Sequence, residues 1–124
     1  MVKVVVFSSL FGFYLIYSIF VYTRGTKNIV VPSAEEQTKI TKGKQLFQQY
    51  NCIACHQIYG LGGYLGSELT TAYSDKNRGE LFMKVFLKAG GQRMPNFHFS
   101  DEDINALIQY LKYVDATAVT YRNP

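Results

Sequence analysis

The chain opens with an unbroken apolar block. Residues 4–22 read VVVFSSLFGFYLIYSIFVY, nineteen positions without a charge and with only three serines and a glycine as polar or small interruptions. As a helix this run measures ~28 Å, about the hydrocarbon thickness of a bilayer. A cleavable signal peptide has a shorter apolar stretch and small residues at its cleavage site, whereas this block ends in Val21-Tyr22-Thr23-Arg24. A buried helix of a soluble domain would be shorter or would carry a polar stripe. The block is therefore expected to be an uncleaved membrane anchor over residues 1–23. Tyr14, Tyr17 and Tyr22 suit an aromatic belt towards its C-terminal end. Lys3 precedes the block and Arg24 and Lys27 follow it, so the basic residues leave its orientation open.

After the block the pattern changes. Residues 24–34 are polar and contain Gly25 and Pro32, as expected of a linker, and a domain is expected over residues 35–124. Ser33-Ala34-Glu35-Glu36 has the form of a capping box, and Ile40, Gly43, Leu46, Phe47 and Tyr50 recur at helical spacing, which predicts a helix ending just before Cys52. Residues 57–74, with Gly60, Gly62, Gly63 and Gly66, read as loop. A second helix is expected over 78–89, with Leu81, Phe82, Val85 and Phe86 as its apolar face and Gly90-Gly91 as its stop. Ser100 then caps a helix with Asp101, Glu102 and Asp103 in its first turn and Ile104, Leu107, Ile108 and Leu111 on one face, running to about residue 115. No strand alternation and no repeat is visible. The fold class is all-α: one N-terminal transmembrane helix followed by a small helical domain. Its loops are long for a compact domain, and a bulky cofactor in the core would account for them.

Charge sharpens this division. The formal net charge is +4, but beyond Pro32 ten basic residues face nine acidic ones, so most of the excess flanks the apolar block. No nucleic-acid partner is expected. Glu68, Asp75 and Glu80 are spread along the chain and are read as surface residues, and no constellation of catalytic acid, base and nucleophile appears.

The remaining chemistry lies in Cys52-Ile53-Ala54-Cys55-His56, which holds both cysteines of the chain. Cys-x-x-Cys alone suits a redox dithiol or half a zinc site. Zinc needs four ligands, and beyond these three only His98 is of the usual kind. A thioredoxin-like pair would follow a strand, whereas a helix precedes this one. Cys-x-x-Cys-His suits covalent haem: two thiols three positions apart can add to the two vinyl groups of one porphyrin, and the adjacent imidazole can reach the iron from the same face. Haem of this type is attached on the outer side of the membrane, which would place Met1 in the cytoplasm and the domain in the periplasm. For the second axial position Met94, 38 residues after His56 and followed by the rigid Pro95, is the first candidate, with His98 as its rival; Met83 is read as core filler. His/Met ligation closes both axial positions and suits electron transfer. Arg93, Tyr59 and Tyr64 are candidates to meet haem propionates.

With the anchor, the CIACH motif, Met94-Pro95 and the helix SDEDINALIQYLKYV, the chain resembles a class I cytochrome c over about residues 38–114. The resemblance implies that the first and last helices of the domain cross in contact, Gly43 and Phe47 meeting the 107–111 face. The stretches NCIACHQIYGLGGYLGSEL and RMPNF are similar to the membrane-anchored cytochrome c subunits of bacterial nitric oxide reductases. That likeness implies a single-pass protein of the cell inner membrane carrying one covalent haem c. It would take electrons from a soluble donor, a small cytochrome c or a cupredoxin, and pass them to a large haem-copper-type catalytic subunit. It also implies calcium at the subunit interface, with Gly62 and Tyr64 at the matching positions. Three other readings stay open: an anchored cytochrome c subunit of an oxygen-reducing haem-copper oxidase, a periplasmic haem sensor, and a thiol oxidoreductase.

Overall fold

The computed structural model describes residues 2–25 and 30–118. Of the linker expected over 24–34, residues 26–29 lie outside the described residues, as do residues 119–124 of the expected domain. Helix α1, Val2–Gly25, takes up the whole apolar block and none of its described side chains is buried. It is long and apolar enough to cross a membrane. Near its end the Thr23 hydroxyl donates back to the carbonyl of Ile19 at 2.7 Å, and the Arg24 guanidinium lies 5.0 Å from the centre of the Phe20 ring.

The domain is built from α2 (Ala34–Gln49), α3 (Gly79–Ala89) and α4 (Asp101–Thr117). Both long helices begin where their sequences offer a cap. The Ser33 hydroxyl accepts from Glu36 N–H, and the Glu36 carboxylate accepts from Ser33 N–H at 2.9 Å, completing the capping box. Ser100 accepts from Asp103 N–H at 3.2 Å and places three acids in the first turn of α4, where the helix dipole favours them.

α2 and α4 cross at Gly43. A Cβ there would stand 2.0 Å from the carbonyl oxygen of Ala106, so the crossing requires glycine. One turn on, Phe47 packs on Tyr110 with ring centres 5.5 Å apart. Lys42 reaches across to Glu102 at 2.7 Å and Asp103 at 2.9 Å. Ile104, Leu107, Ile108, Leu111 and Val114 form the buried face of α4, as their spacing predicts, with Ile108 wholly enclosed. The last turn also buries Asp115, whose carboxylate accepts from Ser74 N–H at 2.8 Å and so ties the loop before α3 to α4.

Two local features depart from what the sequence predicts. The stretch after the cysteine motif forms a minimal antiparallel ribbon, β1 (Gln57–Ile58) with β2 (Leu61–Gly62), paired Gln57 to Gly62 and Ile58 to Leu61. Its connection, Tyr59-Gly60, has positive φ at both residues, 54° and 74°, the geometry of a two-residue hairpin turn. Strands of two residues are too short to show alternation. The second departure concerns α3, whose core residue is Met83, while Leu81 is 77% and Val85 56% exposed. The four apolar side chains assigned to one face do not share one environment: Phe82 and Phe86 turn to a cavity, and Leu81 and Val85 turn outward.

Candidate functional site

The site begins where α2 stops. Tyr50 closes the helix, its N–H donating to Leu46 O at 3.0 Å, and Asn51 then reverses the chain in the left-handed region with φ 51°. Asn is among the few residues that adopt this conformation readily. A single 3-10 turn, Cys52–Ala54, follows, closed by the N–H groups of Cys55 (3.2 Å) and His56 (2.9 Å) on the carbonyl of Cys52. Two thiols and an imidazole thus share one turn. All three are half-buried and all line the same cavity. Burial pushes the Cys52 thiol above its usual value, which keeps it protonated at neutral pH.

The imidazole is oriented by the glycine-rich segment. His56 Nδ1–H donates to the carbonyl of Ser67 at 2.8 Å, which leaves Nε2 as the ring's free ligand atom. Gly66, whose N–H donates to Cys55 O at 2.7 Å, lies under the ring; a Cβ there would be 2.5 Å from its Cε1. A Cβ on Gly63 would meet Ala54 O at 1.9 Å, and one on Gly62, which has φ 129°, would meet His56 O at 2.2 Å. The glycines therefore form a tight cradle around the cysteine motif.

The cavity has a volume of about 390 Å³. Phe47, Leu107 and Leu111 of the helix crossing form one part of its wall and Phe82 and Phe86 of α3 another. Met94 enters from the segment after α3, which Gly90 (φ 74°) and Gly91 turn back on itself, Gly91 N–H donating to Met94 O at 2.8 Å. Met94 is half-buried and lines the cavity. His98 is exposed and is not part of the wall. Arg93 is exposed, lines the cavity, and makes no ion pair among the described residues.

Two of the residues offered for propionates lie elsewhere. Tyr59 is committed to α4, its hydroxyl donating to Val114 O at 3.1 Å and lying 2.7 Å from the Thr117 hydroxyl. Tyr64 is 89% exposed and outside the cavity wall. The wall instead includes Arg78, which no motif in the sequence singles out. Its guanidinium pairs with Asp75 at 2.8 Å and donates to the carbonyl of Glu68 at 2.9 Å. Asn77 N–H and Arg78 together hold the Asp75 carboxyl below its ordinary value. Glu68 is also half-buried and not a surface residue, because its carboxylate accepts from Thr70, which is fully buried.

The donor set fits haem. An apolar cavity of this size, two thiols three residues apart on one wall, an imidazole with one nitrogen engaged and one free, and a thioether on the same wall suit a porphyrin and an iron with nitrogen and sulfur ligands. A helical domain closed around such a cavity has the architecture of a c-type cytochrome. The model of the family described as cytochrome c oxidase, cbb3-type, subunit III matches residues 38–111, and the chain belongs to that family. Membership implies a covalently attached c-type haem. Three curated relatives are each named as the same small subunit of a nitric oxide reductase. The chain is 27% identical over 115 residues to the one from Stutzerimonas stutzeri, covering 85% of this chain and 78% of that one. It is 26% identical over 88 residues to the one from Halomonas halodenitrificans, covering 61% of this chain and 59% of that one. With the one from Cereibacter sphaeroides it shares 25% identity over 101 residues, 71% of this chain and 69% of that one. The chain is a cytochrome c electron-transfer subunit.

Proposed function

We propose that this chain carries electrons from a soluble donor, a small cytochrome c or a cupredoxin, to the haem-copper-type catalytic subunit of a nitric oxide reductase. The observation that carries the reading is the committed imidazole: with Nδ1 held by Ser67, His56 is built to present Nε2 to the cavity beside two thiols. The names of the three relatives supply the acceptor.

When bound, haem c supplies reversible one-electron chemistry. Cys52 and Cys55 would hold it as thioethers, His56 would ligate the iron, and Met94 would be the second axial ligand. The thioether of Met94 favours the reduced state relative to a second imidazole. Phe47, Phe82 and Phe86 exclude water, and Arg93 would meet the negative edge of the porphyrin. Residues 1–23 would anchor the chain in the inner membrane, residues 24–34 would link, and residues 35–124 would lie in the periplasm. The outward-facing Tyr64 beside Gly62 suits an interface with the catalytic subunit, and calcium shared there would have to be held through carbonyls: among the described residues no three His, Cys, Asp or Glu side chains cluster around a metal-sized space.

The description of the family favours a second reading, a subunit of an oxygen-reducing oxidase. Purification of the full chain with its membrane partner, followed by assay of nitric oxide and oxygen consumption, separates the two. Consumption of nitric oxide is expected, and turnover of oxygen alone would overturn the first reading. Attachment is checked separately by denaturing mass spectrometry. The chain should exceed its bare 14.1 kDa by one haem, whereas an unmodified mass with two titratable thiols would return the motif to thiol chemistry.

A further inference from the structure

The segment that carries Met94 is poorly secured by its backbone. Between α3 and α4, residues 91–99 form no regular structure, and among the described residues their hydrogen bonds are internal: Gly91 N–H to Met94 O at 2.8 Å, and His98 N–H to the Asn96 side-chain oxygen at 2.8 Å. His98 also has φ 55°, a conformation that a non-glycine residue keeps only when its surroundings hold it. What does tie this segment to the domain is aromatic. Phe97 and Phe99, on either side of His98, meet each other at 5.4 Å between ring centres and both meet Tyr50 edge-on, at 5.3 and 4.7 Å. Tyr50 is the residue that ends α2, two positions before Cys52. Tyr50 and Phe97 line the cavity, and Phe99 is buried in the core.

The three rings therefore join the two parts of the chain that hold the two axial candidates. We infer that Tyr50, Phe97 and Phe99 form a clamp that sets how often the Met94 segment opens, and so keeps the sixth position of the iron closed. The inference rests on the proposed ligation by Met94. The rings touch no ligand atom; they are positioning residues that act through the segment they hold. Edge-to-face pairs contribute beyond the area they bury, so removing one ring loosens the segment more than it weakens the helix crossing.

The test uses the full chain loaded with haem, in detergent. Exogenous cyanide binds the ferric protein only after the Met94 segment opens, so its binding rate reads the opening. Tyr50→Ala and Phe97→Leu should each raise that rate about tenfold from the loss of edge-on ring contacts, and their combination should depart from additivity. Tyr50→Phe, which keeps the ring, should leave it within about twofold. Ile108→Val, which weakens the core away from the clamp, serves as the control for general loss of stability. Rates that rise in the ring variants only as far as their unfolding midpoints fall, as in that control, would overturn the clamp. The far-red thioether–iron band of the ferric protein separates the two levels of the reading. If it is absent from the unaltered chain, the Met94 assignment fails and the clamp with it; if it is present and the rates do not move, the clamp alone fails.

Discussion

A methyl group at Gly66 would stand 2.5 Å from Cε1 of His56 and would force the imidazole or its Ser67 hydrogen bond to shift. Overpacking of this kind costs about 1–3 kcal/mol, and here it falls on the iron ligand. Gly66→Ala is expected to lower the thermal midpoint of the haem-loaded chain and to disturb its Soret spectrum, both measurable on one sample. Met94→Ala should abolish the thioether–iron band and let carbon monoxide bind the ferrous protein, whereas Met83→Leu, at a buried position, should preserve the band. At this scale the sequence is informative where chemistry resides in side chains at fixed spacing, as in Cys52, Cys55 and His56. It is silent where a backbone atom acts, since the carbonyl of Ser67 would look the same in any residue. Tyr59 misleads for a related reason: its hydroxyl could serve several partners, and only the fold shows that α4 claims it.

Among the elements, α2 and α4 can be read almost to the residue because their signals are local. Ser33 with Glu36, and Ser100 with three acids, mark the starts without reference to any neighbour. α3 cannot be read this way. Its apolar positions serve a cavity, a core and an outward face together, and periodicity cannot distinguish a wall that waits for a porphyrin from one that packs on protein. The ribbon at 57–62 escapes because its information lies in two positive φ values rather than in alternation. The helix crossing gives the sharpest test at this level. Alanine is a better helix former than glycine by ~1 kcal/mol, so Gly43→Ala would stabilise an isolated α2. With the Ala106 carbonyl 2.0 Å from the new Cβ, the clash wins, and a net loss of about 1–3 kcal/mol is expected in chemical denaturation.

Across the whole molecule the carboxylates set the acid limit. Glu36 is held below its ordinary value of 4.5 by the Ser33 N–H and hydroxyl. Asp103 is held below 3.8 by the Ser100 hydroxyl and then by Lys42, and Asp75 by Asn77 N–H and then Arg78. Each folded value lies below the unfolded one, so the stabilisation is complete above those ordinary values and is lost as pH falls through the lowered folded ones. Denaturant midpoints should hold level from neutral pH to about 5 and drop below about 4, less steeply in high salt because these groups are exposed. The crossing of α2 with α4 has one more consequence, which concerns the order of events during biogenesis. It joins the two ends of the domain, and the cavity walls come from the whole stretch between them, so docking of the last helix is a non-local closure around whatever the cavity contains. The thiols stand on the first turn after α2, far upstream of that closure. A haem attached to the open chain is a nucleus around which the later segments assemble, whereas one arriving after α4 has docked must reopen the crossing at Gly43.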